Sequence, residues 1–70
     1  MEMVNVDSAN LSEIGYDPDT KKLHVVFNNG ALYHYEDVPQ ETYDELVESD
    51  SIGSFFHEEV RYSFNYVRVE

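Results

Sequence analysis

Two histidines, His24 and His34, flank a glycine turn in this chain. If the segments around the turn pair as a hairpin, the imidazoles face each other across the strands, about 5 Å apart, close enough to share a transition metal. A useful site needs a third or fourth ligand, and no residue pattern supplies one, so a solvent-face histidine pair is expected and no metal site. Tyr33 and Tyr35 could stack nucleobases, as aromatics on sheet platforms do, although the hairpin register derived below sends them into the core. Asp17 and Asp19 lack the alternating oxygen ligands and closing glutamate of a calcium loop and read as turn residues. No serine sits in a nucleophile elbow and no glycine-rich phosphate loop occurs. The carboxylates of Glu41, Asp44, Glu45 and Glu48 cluster, but on the solvent side of a helix, where no cleft raises a pKa. No catalytic residue, metal or cofactor is expected, and the chain reads as a non-enzyme.

The elements that position these residues follow from periodicity. Apolar residues alternate at Leu23, Val25 and Phe27, then at Tyr33 and Tyr35, the period-two pattern of half-buried strands. A first strand is expected near Leu11 to Tyr16. The turn Asp17-Pro18-Asp19-Thr20 follows it, setting Asp17 opposite Lys22, Tyr16 opposite Leu23 and Ile14 opposite Val25. At the next turn, a two-residue Asn29-Gly30 loop would pair Val25 with His34 and mix apolar with polar residues on one face. A three-residue loop, Asn28-Asn29-Gly30 with Gly30 left-handed, pairs Phe27 with Ala31, Val25 with Tyr33 and Leu23 with Tyr35. Burial of one apolar face selects the second register. Val25, Phe27, Tyr33 and Tyr35 are then core residues beneath the helices. His24, Val26, Leu32 and His34 occupy the opposite face.

Pro39 is expected to open a helix at its first position and carry it to about Glu48. Tyr43, Leu46 and Val47 form its apolar side and the four acids its outer side. A second helix is expected from Ile52 to about Tyr62, on the stripe Ile52, Phe55, Phe56 and Val60, although Gly53 weakens it. The tail from Tyr62 to Arg68 alternates aromatic and polar residues and fits either an edge segment or a helix end. Residues 1–7 read as a loose arm, with Val4 and Val6 able to fold over the outer sheet face. The fold class is α+β: a three-stranded antiparallel meander followed by two helices packed on one face.

Seventy residues make one domain with a small core. Cysteine is absent, so no disulfide staples it, and six tyrosines and four phenylalanines supply the bulk. There is no membrane-length apolar run and no secretory signal, and a soluble, cytoplasmic protein is expected. Fifteen acids oppose four bases, for a formal net charge of −11. No lysine or arginine lies between Lys22 and Arg61. Such a surface repels phosphate backbones at range and suits a basic protein partner.

The order of signals is similar to that of the KTSC domain, a short domain found alone in bacterial and phage proteins and at the C-terminus of some lysyl-tRNA synthetases. The matching residues are Ile14-Gly15-Tyr16-Asp17, then Leu23, Val25, Phe27 and Gly30, then Tyr33-x-Tyr35-x-x-Val38-Pro39. Tyr43, Leu46, Ser51, Gly53, Phe55, Phe56, Val60 and Phe64 continue it, so the resemblance covers about residues 8–68. It implies a small α+β domain without established catalysis, and RNA binding as an accessory activity. Where the family tends toward lysine and arginine in the final third, this chain keeps only Arg61 and Arg68.

Three functions follow as expectations. The first is a non-enzymatic module that binds a protein through the acidic face of Glu41, Asp44, Glu45 and Glu48, or through the Val26–Leu32 patch bracketed by His24 and His34. A homodimer through that patch is one form of it. The second is the RNA-binding accessory domain implied by the resemblance. The third is an acidic nucleic-acid mimic that occupies the basic groove of a polymerase, nuclease or defence factor.

Overall fold

The computed structural model describes residues 3–70 of the chain. It is an α+β fold with one antiparallel sheet in the order β1-β2-β3-β4-β5. The strands are β1 (Met3–Asn5), β2 (Leu11–Asp17), β3 (Lys22–Phe27), β4 (Leu32–Tyr35) and β5 (Tyr66–Arg68). Between β4 and β5 the chain forms α1 (Gln40–Glu48) and α2 (Ile52–Phe55), the latter running into a π-helical turn, Phe56–Val60.

The central meander has the register the alternation requires. Asp17 pairs with Lys22, Tyr16 with Leu23 and Ile14 with Val25. Leu23 pairs with Tyr35, His24 with His34, Val25 with Tyr33 and Val26 with Leu32. The β3–β4 turn is the three-residue loop: the Phe27 amide donates to the Ala31 carbonyl at 2.9 Å, and Gly30 has φ +90°. Glycine alone takes that backbone conformation without a side-chain penalty.

The sheet nevertheless has five strands, not three. Residues 1 and 2 of the expected arm lie outside the described residues. Met3–Asn5 do not fold over the outer face but pair edge-on with β2, Val4 opposite Ile14. The tail takes the extended alternative, with Tyr66 opposite Tyr35 and Arg68 opposite Tyr33. Each added strand is three residues long, too short to display a period, and each exists because a longer strand leaves its edge unpaired.

Three helical expectations also change. Pro39 is the N-cap of α1 rather than its first helical residue, with an extended ψ of 149°. Within α1 only Leu46 is buried; Tyr43 is half-buried against the stacked ring of Tyr16, and Val47 is exposed. The second helix is not one α-helix to Tyr62. It widens after Phe55, and the Arg61 amide donates to the Phe56 carbonyl in an i→i+5 bond of 2.9 Å. Gly53 has a packing reason: a Cβ there would lie 2.6 Å from Ser8 Oγ, so glycine lets α2 sit against the loop after β1.

The core joins the inner sheet face to the helices. Leu11, Ile14, Leu23, Val25, Tyr35, Val38, Leu46, Phe56 and Val60 are nearly or fully buried. Tyr16 is buried too, and its hydroxyl donates to the Val38 carbonyl. Of the expected core residues, Val25 and Tyr35 are buried, whereas Phe27 and Tyr33 are only half-buried. Phe56 of the π-helical turn packs on Phe27 and Tyr35, while Tyr33 and Tyr66, nearer the β5 edge, stay partly open.

Candidate functional site

That uncovered strip of inner sheet face is a groove of ≈ 580 Å³. Its floor is Phe27, Tyr33 and Tyr35 from β3 and β4, extended by Tyr66 and Arg68 from β5. Its wall is the π-helical turn and the residues after it, with Phe56, His57, Arg61 and Tyr62. Phe56 fixes the distance between floor and wall. Its ring meets Phe27 edge-on at 5.7 Å and Tyr35 at 5.2 Å between centroids, arrangements that aromatic quadrupoles favour. Tyr66 leans over Tyr33 and Tyr35 at 5.7 and 5.6 Å. Two aromatics project outward: Tyr62 of the wall is 77% exposed and Tyr66 of the floor 58%.

The groove also gathers positive charge. The Arg61 guanidinium lies 5.5 Å from the Tyr62 ring centre, within cation–π range. His57 meets the other edge of Tyr62 at 5.7 Å. Arg68 is held by a 3.3 Å bond from its Nε to the Glu70 carbonyl. In a chain of net charge −11, no acidic side chain lines this groove. Burial pushes the Tyr35 phenol up to about 12, against the opposing pull of the Arg61 charge. Tyr35 is only 2% exposed, so it meets the groove from beneath the more open rings of Tyr33 and Tyr66.

The residues singled out from sequence lie elsewhere, on two separate surfaces. Glu41, Asp44, Glu45 and Glu48 are exposed along the outer side of α1. Beside that row the amide of Gln40 donates to Asp44 at 3.4 Å. His24, Val26, Leu32 and His34 are half-buried on the outer sheet face, opposite the helices. The two imidazoles touch, T-shaped, with 4.1 Å between ring centres. Burial and then the neighbouring His34 hold His24 below the usual histidine range. β5 widens this face by adding Val67 beside His34. Val67 is exposed, as is Val69 just beyond the strand.

Sequence reasoning placed Tyr33 and Tyr35 correctly on the inner face but treated that face as closed. His57, Arg61, Tyr62, Tyr66 and Arg68 were not recognised as one site. The signal was the alternation Tyr66-x-Arg68, which becomes informative once the tail is known to pair with β4.

The family model described as KTSC domain matches residues 7–64. An uncharacterized protein of Stutzerimonas stutzeri is 45% identical over 58 residues, which cover 83% of this chain and 82% of that one. A lysine–tRNA ligase of Nostoc is 35% identical over 51 residues, 73% of this chain and 9% of the ligase. The crystal structure of a KTSC domain protein from Yersinia pestis superposes with a TM-score of 0.92 at 28% identity, over 99% of this chain and 97% of that one.

Proposed function

The chain belongs to the KTSC domain family, and from that premise we propose that it is a non-enzymatic binding module whose groove takes a planar group carrying an adjacent negative charge. The nucleotides of a short single-stranded RNA have that chemistry. One observation carries the reading: Tyr33, Tyr35, Tyr62 and Tyr66 converge with Arg61, Arg68 and His57 around a groove that no acid lines. Exposed aromatic faces stack bases at about 1–3 kcal/mol per base, and nearby guanidinium groups add cation–π and phosphate contacts. Tyr33 and Tyr35, the Tyr-x-Tyr pair of the family pattern, lie on the groove floor. The Nostoc relative is named for an enzyme that acts on tRNA, which agrees with an RNA ligand here.

Charge sets the scale of the ligand. A net charge of −11 repels a long polyanion at range, whereas two arginines in a groove suit one or two phosphates. Titration of tyrosine fluorescence with single-stranded RNA hexamers in low salt tests the reading. Saturable quenching is expected, weakened by Arg61→Ala and by Tyr66→Ala, with duplex RNA of equal length binding less. No saturation at millimolar oligonucleotide, or equal binding by both variants, refutes it.

A second reading is favoured by a different observation. Val67 and Val69, 51% and 45% exposed, add to the half-buried Val26 and Leu32 on the outer sheet face, a patch suited to a protein partner. Leu32→Glu then abolishes association while leaving the melting temperature nearly unchanged. Retained association removes this reading. The acidic row Glu41, Asp44, Glu45 and Glu48 is the candidate surface for a basic partner or for nucleic-acid mimicry; charge reversal at Glu45 and Glu48 should abolish such association, and unchanged association removes this reading.

A further inference from the structure

The outer sheet face holds a second site, independent of the groove: we propose that His24 and His34 form a two-imidazole chelate for a divalent transition metal ion.

The pair is built by the strongest part of the fold. His24 and His34 are directly opposed in the β3–β4 register, on strands whose inner residues Leu23, Val25 and Tyr35 are buried. Their backbones are therefore fixed relative to each other, and only the rings can adjust. The ring centres stand 4.1 Å apart at an interplanar angle of 68°. Two imidazoles on one tetrahedral ion with bonds of about 2.0–2.1 Å have centres about 5 Å apart. The pair thus needs an opening of about 1 Å, within reach of a small χ1 adjustment at half-exposed residues, with χ2 then turning the nitrogens toward the ion.

Two features favour a cation here. Both histidines are half-exposed, which leaves the pair open to solvent. The net charge of −11 concentrates cations around the molecule. Among the described residues no third histidine, cysteine or carboxylate joins the pair, so water or an external ligand fills the remaining positions. Neutral imidazoles without thiolate suit Cu²⁺ and Zn²⁺, with Cu²⁺ the tighter. The neighbours Val26, Leu32 and Val67 leave one side of the site apolar.

The test is titration of the intact isotope-labelled protein with Cu²⁺ alone and Zn²⁺ alone, followed by amide NMR. Paramagnetic Cu²⁺ should broaden the signals of His24 and His34 before any others, and Zn²⁺ should shift the same signals. His24→Gln and His34→Gln should each weaken binding by about 10²-fold, because loss of one imidazole removes the effective-concentration advantage of the pair. His57→Gln, which alters the groove histidine, should leave the titration unchanged. Broadening centred on the carboxylates of α1, weakening by only one of the two histidine variants, loss of binding in His57→Gln, or no response at millimolar metal would each overturn the proposal. The wild-type broadening pattern does not depend on whether the variants fold.

Discussion

Tyr35 is both a core residue and a lining residue of the groove. Its ring packs on Phe56 and Tyr66. Tyr35→Ala removes a ring that is 2% exposed and should cost about 3–5 kcal/mol, enough to unfold much of so small a domain. Urea denaturation read by circular dichroism checks this. The phenol also makes stability depend on alkaline pH. Its folded value is pushed from 10.0 to about 12, so the native state keeps a proton that the unfolded chain releases. The stabilisation from this group is present below the unfolded value and is lost as pH rises from 10.0 to about 12. Denaturation midpoints should fall across that window and fall less in Tyr35→Phe. An identical alkaline decline in the two proteins would place the Tyr35 hydroxyl in water.

At the scale of elements, the β3–β4 turn is the most sharply defined. Gly30 has φ +90° and open space where a Cβ would stand. Gly30→Ala should therefore destabilise through backbone strain alone, by about 1–3 kcal/mol, with no change in the groove. A thermal melt at unchanged temperature would contradict the left-handed assignment. This turn and the three strands around it were legible in sequence because a slipped register would have exposed Val25 and buried His34. The acidic face of α1 was legible for the same reason, as a polar side opposite Leu46. β1 and β5 were not, since three residues hold no pattern and their place depends on edges contributed by distant segments. The π-helical turn escaped as well: Phe56 and Val60 are buried in the same stripe an α-helix would give, while the wider turn is visible only in its hydrogen bonds. The groove needed both missing pieces, one for each side, so no candidate list drawn from the central hairpin could contain it.

For the molecule as a whole, charge is the largest unbalanced quantity. A net −11 on a Cα framework with a radius of gyration of 10.7 Å is a dense self-repelling shell. Raising sodium chloride from low concentration should raise the melting temperature by screening it; a flat or falling response would mean the acids are locally compensated. Glu48 is the last residue of α1, which has no basic residue in its final turn. Glu48→Lys should then stabilise by about 0.3–1 kcal/mol, through both the helix dipole and the lowered charge. Among the described residues, no helix is long and apolar enough to cross a membrane. The strand order also has a practical outcome. β1 and β5 are the two outermost strands, at opposite edges of the sheet, and β5 forms part of the groove floor. A fluorophore or affinity tag joined ahead of β1 hangs from the far edge and leaves the groove clear. The same label joined after Glu70 stands at the groove's rim, where it would serve as a proximity reporter of whatever enters and compete with it for space.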